Sequence, residues 1–203
     1  MANHPKNILI LGGSYAGVST AHRILKQSAK AGLAIKITLV SPNTHLYWNI
    51  AATRAIVPGE ITDEKLFSSI ATGFKQYTAD KFEFVVGTAE GLDVENKTVV
   101  VSRDSERSSL NYDILILATG SRPKEESPFK GKGSYQESLD LLHEWQAKVK
   151  NASSIYVAGA GATGMFFVYD QPRNSMLIYP IRCRNGWRVR FCVWFLEGDH
   201  SGE

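Results

Sequence analysis

The chain has 203 residues, room for one large domain or two small ones. Hydrophobic residues make up 43% and charged residues 21%, a globular balance that argues against a disordered chain. A net charge of +3 is too small to argue for a nucleic-acid partner, and no basic block or aromatic-basic stripe supports one, so none is expected. Cys183 and Cys192 are too few for a disulfide framework and point to a reducing, cytoplasmic setting. The polar start Met1-Ala2-Asn3-His4-Pro5-Lys6 runs straight into a strand, which argues against a secretory signal, and Ala2 excludes N-myristoylation. No apolar run is long enough to span a bilayer.

Asn7–Leu11 is a short apolar run that predicts a buried parallel strand ending in Gly12-Gly13. A helix follows from Ala16 to Ala31, with Val18, Ala21, Ile24 and Leu25 on one face and Gly32 as its stop. Ile35–Val40 predicts a second strand, broken by Ser41-Pro42-Asn43, so the first forty residues spell one βαβ unit. Thr44–Gly59 reads as irregular. Thr62-Asp63-Glu64 predicts the start of a helix carrying Leu66, Phe67, Ile70 and Phe74. Phe82–Gly87 is the next strand, and Lys97–Val101 with Ser108–Asn111 predict a hairpin around a polar turn. Ile114–Ala118 is another buried strand, ending in Thr119-Gly120-Ser121 and a polar linker to Gly133. Ser134–Lys150 predicts an amphipathic helix with Leu139, Leu142, Trp145 and Val149 on its apolar side. Ser154–Ala158 is a strand that runs at once into Gly159-Ala160-Gly161-Ala162-Thr163-Gly164, after which no clear period is visible.

Both glycine turns have a physical use. A dinucleotide needs a helix N-terminus aimed at its pyrophosphate, where exposed amides and the helix dipole favour negative charge. The first glycine lets the chain turn, the second lets pyrophosphate approach, and the third lets helix pack on strand. Gly159, Gly161 and Gly164 meet this spacing in full. Gly12, Ser14 and Gly17 lack the middle glycine, although Ser14 is small and its hydroxyl is able to reach phosphate. The acid expected on the ribose about twenty residues later is missing. Ser41 stands there instead, either to bond the ribose or merely to start a turn with Pro42.

Four segments carry a resemblance. Ile8–Gly17, Leu39–Asn49, Tyr112–Ser121 and Ser154–Gly164, in this order, resemble the apoptosis-inducing-factor-like flavoproteins, above all fungal members near the mitochondrion-associated-inducer-of-death and ferroptosis-suppressor group. The resemblance implies an α/β fold: an FAD/NAD(P)-binding Rossmann-like domain with a parallel sheet and an added β-hairpin, then an incomplete second Rossmann domain. It divides the chain into an FAD-binding part (1–121), a linker and helix (122–150), the start of an NAD(P)-binding domain (151–164) and a non-family tail (165–203). It implies FAD, with NAD(P)H in the full-length family, and electron transfer to a small-molecule acceptor, quinone-like or other. Gly12, Gly13, Ser14, Ala16 and Gly17 would line the FAD pyrophosphate, and Ser41 would meet the ribose. Arg54 resembles an arginine that approaches the flavin's phosphates, as a guanidinium fork suits. Thr88 and Ala89 stand where the backbone contacts adenine, Thr119 and Gly120 beside the flavin, and Gly159, Gly161 and Gly164 where NAD(P) docks. Lys130 or Lys132 matches a lysine near the ring, or is a solvated linker lysine. No catalytic residue and no metal ligand is implied, because the flavin does the chemistry. His45 is a loop histidine with a structural reading. The absence of a cysteine pair at the first helix argues against a disulfide reductase.

The resemblance stops inside the second glycine motif. The expectation is therefore that residues 165–203 are translated non-coding sequence, from a retained or a wrongly assigned intron, and that the chain binds FAD weakly or not at all and has no NAD(P)H oxidase activity. Two other readings stay open: an inactive nucleotide-binding fragment, and a single-Rossmann NAD(P)-dependent dehydrogenase.

Overall fold

The computed structural model describes residues 4–103, 106–124, 126–152, 155–158, 176–179 and 192–194. The chain forms two compact units, one of Met1–Tyr47, Phe67–Glu125 and Lys132–Tyr135, the other of Trp48–Leu66, Glu126–Gly131 and Gln136–Glu203.

The first unit opens with β1 (Lys6–Leu11), α1 (Tyr15–Ala31) and β2 (Ile35–Ser41), the βαβ unit expected from the apolar runs. Gly32 closes α1, its N–H donating to the Ser28 carbonyl. A short strand, β3 (His45–Tyr47), follows. In the second unit come a 3-10 turn (Asn49–Ala51), α2 (Ala52–Ala55) and α3 (Asp63–Leu66). The chain then returns to the first unit with β4 (Phe67–Ser69), α4 (Ile70–Gly73), β5 (Phe82–Val86), β6 (Thr88–Asp93), β7 (Thr98–Arg103), β8 (Glu106–Asn111) and β9 (Ile114–Leu117). α5 (Tyr135–Asn151), β10 (Ile155–Ala158), β11 (Met176–Tyr179) and β12 (Cys192–Trp194) complete the described elements.

Four parallel strands in the order β5-β2-β1-β9 make the central sheet. Its two faces divide by the two-residue period of the strands. Ile8 and Ile10 of β1 and Ile37 and Leu39 of β2 pack under Ala21 and Leu25 of α1, with Ile70, Phe74 and Phe82. Leu9, Leu11 and Val40 point the other way, onto Val99 and Val101 of β7. A parallel sheet needs both faces covered; here a helix covers one and the antiparallel meander β6-β7-β8 the other. At the strand starts, the Asn7 N–H donates to Asp113 Oδ2 (2.7 Å) and the Asp113 N–H to the Asn7 carbonyl (2.9 Å), which pins β9 in register on β1.

Three expectations are corrected. The single helix from Thr62 through Phe74 is instead α3, β4 and α4. Phe67 stacks on Tyr47 (centroids 4.7 Å apart) as its antiparallel partner, so residues 67–69 give their backbone bonds to β3. Ser69 then caps a new helix by accepting the Thr72 N–H. The hairpin is a three-stranded meander, because β6 joins it through a bulge between Ala89 and Gly91. Past Gly164, β11 and β12 flank β10, one parallel and one antiparallel. Runs of three and four apolar residues are too short to show a period.

In the second unit α5 buries Ser138, Leu141, Leu142 and Val149, while Leu139 and Trp145 are half-buried. Lys148 lies over the Trp145 ring at 5.0 Å. The segment before it is tied down by hydrogen bonds: Trp48 N–H to the Leu66 carbonyl (2.7 Å), Asn49 to the Phe129 carbonyl (2.9 Å) and Gln146 to the Ala55 carbonyl (2.8 Å). His143 Nε2 lies 3.0 Å from Asp63 Oδ2. Among the described residues no helix is long and apolar enough to cross a membrane.

Candidate functional site

The C-terminal ends of β1, β2 and β9 meet at the glycine corner. The Gly12 N–H donates to the Val40 carbonyl (2.8 Å) and the Ala118 N–H to the Leu11 carbonyl (2.8 Å), so the ladder continues to the last residue before the turn. Gly12 then takes φ +119°, a value closed to side chains, and a methyl group there would collide with the Ala118 carbonyl and lie 3.1 Å from the Thr119 nitrogen. A methyl at Gly13 would lie 2.7 Å from both Cβ and Oγ of Ser41, and one at Gly17 would collide with the Gly12 carbonyl. The glycines are therefore fixed by the close crossing of β1, β2, β9 and the first turn of α1.

The helix start faces outward. Ser14 precedes the helix in extended conformation, and its carbonyl accepts the Val18 N–H (2.9 Å) while its side chain makes no capping bond. Amides of a first helical turn have no intrahelical acceptor, and they concentrate the positive end of the helix dipole. Ser14, Tyr15 and Ala16 are exposed, and the first turn holds no acid. This fits an anionic diphosphate.

Ser41 ends β2 and is buried, with its Oγ accepting the Asn43 N–H (3.2 Å) and its carbonyl accepting the Gly87 N–H (2.9 Å). That bond brings Thr88 and Ala89, which open β6, to the same end of the sheet; Thr88 is exposed and Ala89 half-buried. Thr119 and Gly120 leave β9 exposed beside Gly12. So Gly12, Gly13, Ser41, Thr119 and Gly120 stand at the C-terminal end of the four-stranded sheet, with Ser14, Ala16 and Gly17 at the start of α1 and Thr88 and Ala89 at the start of the neighbouring meander. Arg54 belongs to the second unit, on α2, with its Nη2 3.4 Å from Glu60 Oε2. Gly159, Gly161 and Gly164 lie outside the described residues. Lys130 is exposed.

Two residues escaped the sequence reading. Tyr15, between the corner glycines, lies close enough to Tyr47 that its phenol adds to the effect of burial in pushing the Tyr47 phenol up. An aromatic inside a glycine turn was the available signal. Gly87 is buried against Val101, 2.6 Å from where its methyl would be, and nothing in a single sequence marks that contact. His45 sits with its Nδ1 2.8 Å from Thr44 Oγ1 and its ring tilted over Tyr135 at 4.1 Å, and burial pushes its imidazole down. Among the described residues no group of three or more metal-ligating side chains converges.

Residues 6–168 match the family described as pyridine nucleotide-disulphide oxidoreductase. An oxidoreductase of Pestalotiopsis fici, ptaL, is 53% identical over 180 residues, covering 85% of this chain and 48% of that protein. Ferroptosis suppressor protein 1 of Homo sapiens is 28% identical over 163 residues, covering 78% of this chain and 38% of its own length. The chain thus spans about half, or less, of the length of these relatives. NDH2 from Plasmodium falciparum, solved in complex with NADH, superposes with a TM-score of 0.61 at 16% identity, over 82% of this chain and 37% of that one; this likeness concerns the fold.

Proposed function

The chain belongs to the pyridine nucleotide-disulphide oxidoreductase family, and on that premise we propose that it serves as the FAD-holding part of an oxidoreductase that takes electrons from NAD(P)H and passes them to a small acceptor, quinone-like or other. The observation that carries this reading is the glycine corner: an outward-facing, acid-free helix start between parallel strand ends, with buried Ser41 beside it. When bound, FAD supplies hydride and electron transfer, which no side chain can supply. The chain's own residues bind and orient. The amides of Gly13, Ser14, Ala16 and Gly17 would hold the diphosphate, Ser41 the ribose, Thr88 and Ala89 the adenine side, and Thr119 and Gly120 the flavin side. Arg54, on α2 of the second unit beside Glu60, is offered by the resemblance alone as a phosphate-binding guanidinium. Residues 1–121 would form the FAD domain and 151–164 begin the NAD(P) domain, with Gly159, Gly161 and Gly164 at its phosphate turn.

The test is flavin retention. The chain is incubated with FAD, freed of unbound flavin by gel filtration, and scanned for flavin absorbance. Wild-type protein is expected to retain more flavin than Gly17→Ala, yet less than one flavin per chain and without bleaching by NADH or NADPH, because only the start of an NAD(P) domain is present. Equal retention by the two proteins would overturn the site, and a stoichiometric yellow preparation that NADH bleaches would overturn the expectation that this chain binds FAD weakly or not at all.

A further inference from the structure

We infer that Tyr15 is a positioning residue of the cofactor site, its ring packing against the flavin end of a bound FAD at the mouth of the glycine corner; the inference rests on the FAD reading above. Tyr15 is the first residue of α1 and the one large side chain among Gly12–Gly17, yet it is 37% exposed. The Cα–Cβ bonds of a helix tilt toward its N-terminus, so a side chain in the first position projects past the helix end, on the side to which the free amides point. A neutral phenol adds no charge to a phosphate site. What it offers there is a flat apolar face.

A neighbouring ribbon backs that ring. Ile70, which follows β4, has its Cδ1 2.8 Å from where a methyl on Gly13 would stand, and its N–H donates to the Thr44 carbonyl (3.1 Å), so β3 and β4 are held against the corner. From β3, Tyr47 comes close enough that burial and the Tyr15 phenol together push the Tyr47 phenol up. Tyr47 itself is buried and stacked on Phe67 (4.7 Å), which meets Tyr135 edge-on (5.3 Å). Tyr15 thus backs onto a packed aromatic wall and keeps over a third of its surface open. The ribbon lies on the α1 side of the central sheet, where Leu46 and Ile70 join the core under α1. Ala89, proposed above for the adenine, packs on the opposite face. The flavin is the ring system left for Tyr15.

The probes are FAD and ADP, titrated calorimetrically into the full 203-residue chain, with the emission of bound FAD read at saturation. ADP keeps the adenosine and the diphosphate but has no flavin. A phenol in contact with a flavin quenches its fluorescence, and a phenylalanine ring does not. Tyr15→Leu is expected to bind FAD about three- to ten-fold more weakly, the usual worth of one aromatic pair, with ADP affinity unchanged. Tyr15→Phe is expected to keep the affinity for FAD and to brighten the bound flavin. Equal losses for FAD and ADP in Tyr15→Leu would assign the residue to the fold of the corner and overturn the inference. So would bound FAD whose affinity and emission neither substitution changes. Both results leave the FAD reading standing, whereas failure of the wild-type chain to bind FAD removes the two together. If Tyr15→Leu does not fold, Tyr15→Phe decides alone, and unchanged emission overturns the inference.

Discussion

At the scale of single residues the corner leaves little room for substitution. Gly17→Ala places a methyl on the Gly12 carbonyl, so it is expected to destabilise by about 1–3 kcal/mol in urea melts, the usual cost of overpacking. His22 gives a pH dependence. Its ring stacks on Phe74 (4.0 Å, planes 4° apart), which stacks on Phe82 (3.9 Å), and its Nδ1 lies 3.3 Å from the Tyr77 hydroxyl. Burial pushes the imidazole below its ordinary 6.5, so the folded state resists a proton that the unfolded chain accepts. Stability is then full above pH 6.5 and falls as the pH drops through that value toward the lowered one. His45 adds in the same direction, and burial is again the cause. Melting temperature is expected to fall between pH 7 and pH 5, about the range in which a histidine titrates, and to fall less steeply in His22→Phe. Equal slopes would remove His22 from the account.

At the scale of elements, the short pieces around the site depend on partners distant in sequence. Phe67 is buried in β4 against Tyr47, with Tyr135 edge-on at 5.3 Å, and Phe67→Ala is expected to cost about 3–5 kcal/mol in denaturant melts. Ser69→Ala removes the cap of α4 and is expected to cost about 1 kcal/mol. If 62–74 were one helix, Ser69 would be an exposed interior position and its substitution by alanine would stabilise slightly; that sign decides between the two arrangements. The same segment shows what a sequence makes legible. β1, α1, β2, β5 and β9 were readable because apolar runs bounded by turn residues and helical faces are local signals, and their ends shift by only a residue or two; β9 is nevertheless not the buried strand expected, since Ile114 and Leu117 are exposed. Leu66, Phe67, Ile70 and Phe74 were read as carried by one helix; all four are buried, but apolar residues at helical spacing do not reveal that β3 claims the backbone of 67–69. The corner was legible through Gly12 and Gly17. The close approach of Ala118 to Gly12 was not, because it arises only through the parallel pairing of β1 and β9, strands far apart in the chain.

At the scale of the whole molecule, the parallel order β5-β2-β1-β9 brings three strand ends and one helix start to a single edge. Connection reversal beside β1 makes that edge a crevice, the place where open α/β sheets bind ligands. Among the described residues β9 is the last strand of this sheet, with Ile114 44% and Leu117 65% exposed. An apolar, unpaired edge invites association. Leu117→Lys is expected to reduce concentration-dependent light scattering while changing stability by less than about 0.5 kcal/mol, and unchanged scattering would show that this edge does not mediate contact. The central claim is that backbone amides at the strand-to-helix corner receive a diphosphate. Amide chemical-shift mapping of the isotopically labelled chain, titrated with FAD, tests it most directly. The largest shifts are expected at Gly13, Ser14, Ala16 and Gly17, with smaller ones at Ser41 and Thr119. Saturation that leaves those amides unmoved while others shift, or no shift anywhere, would contradict it.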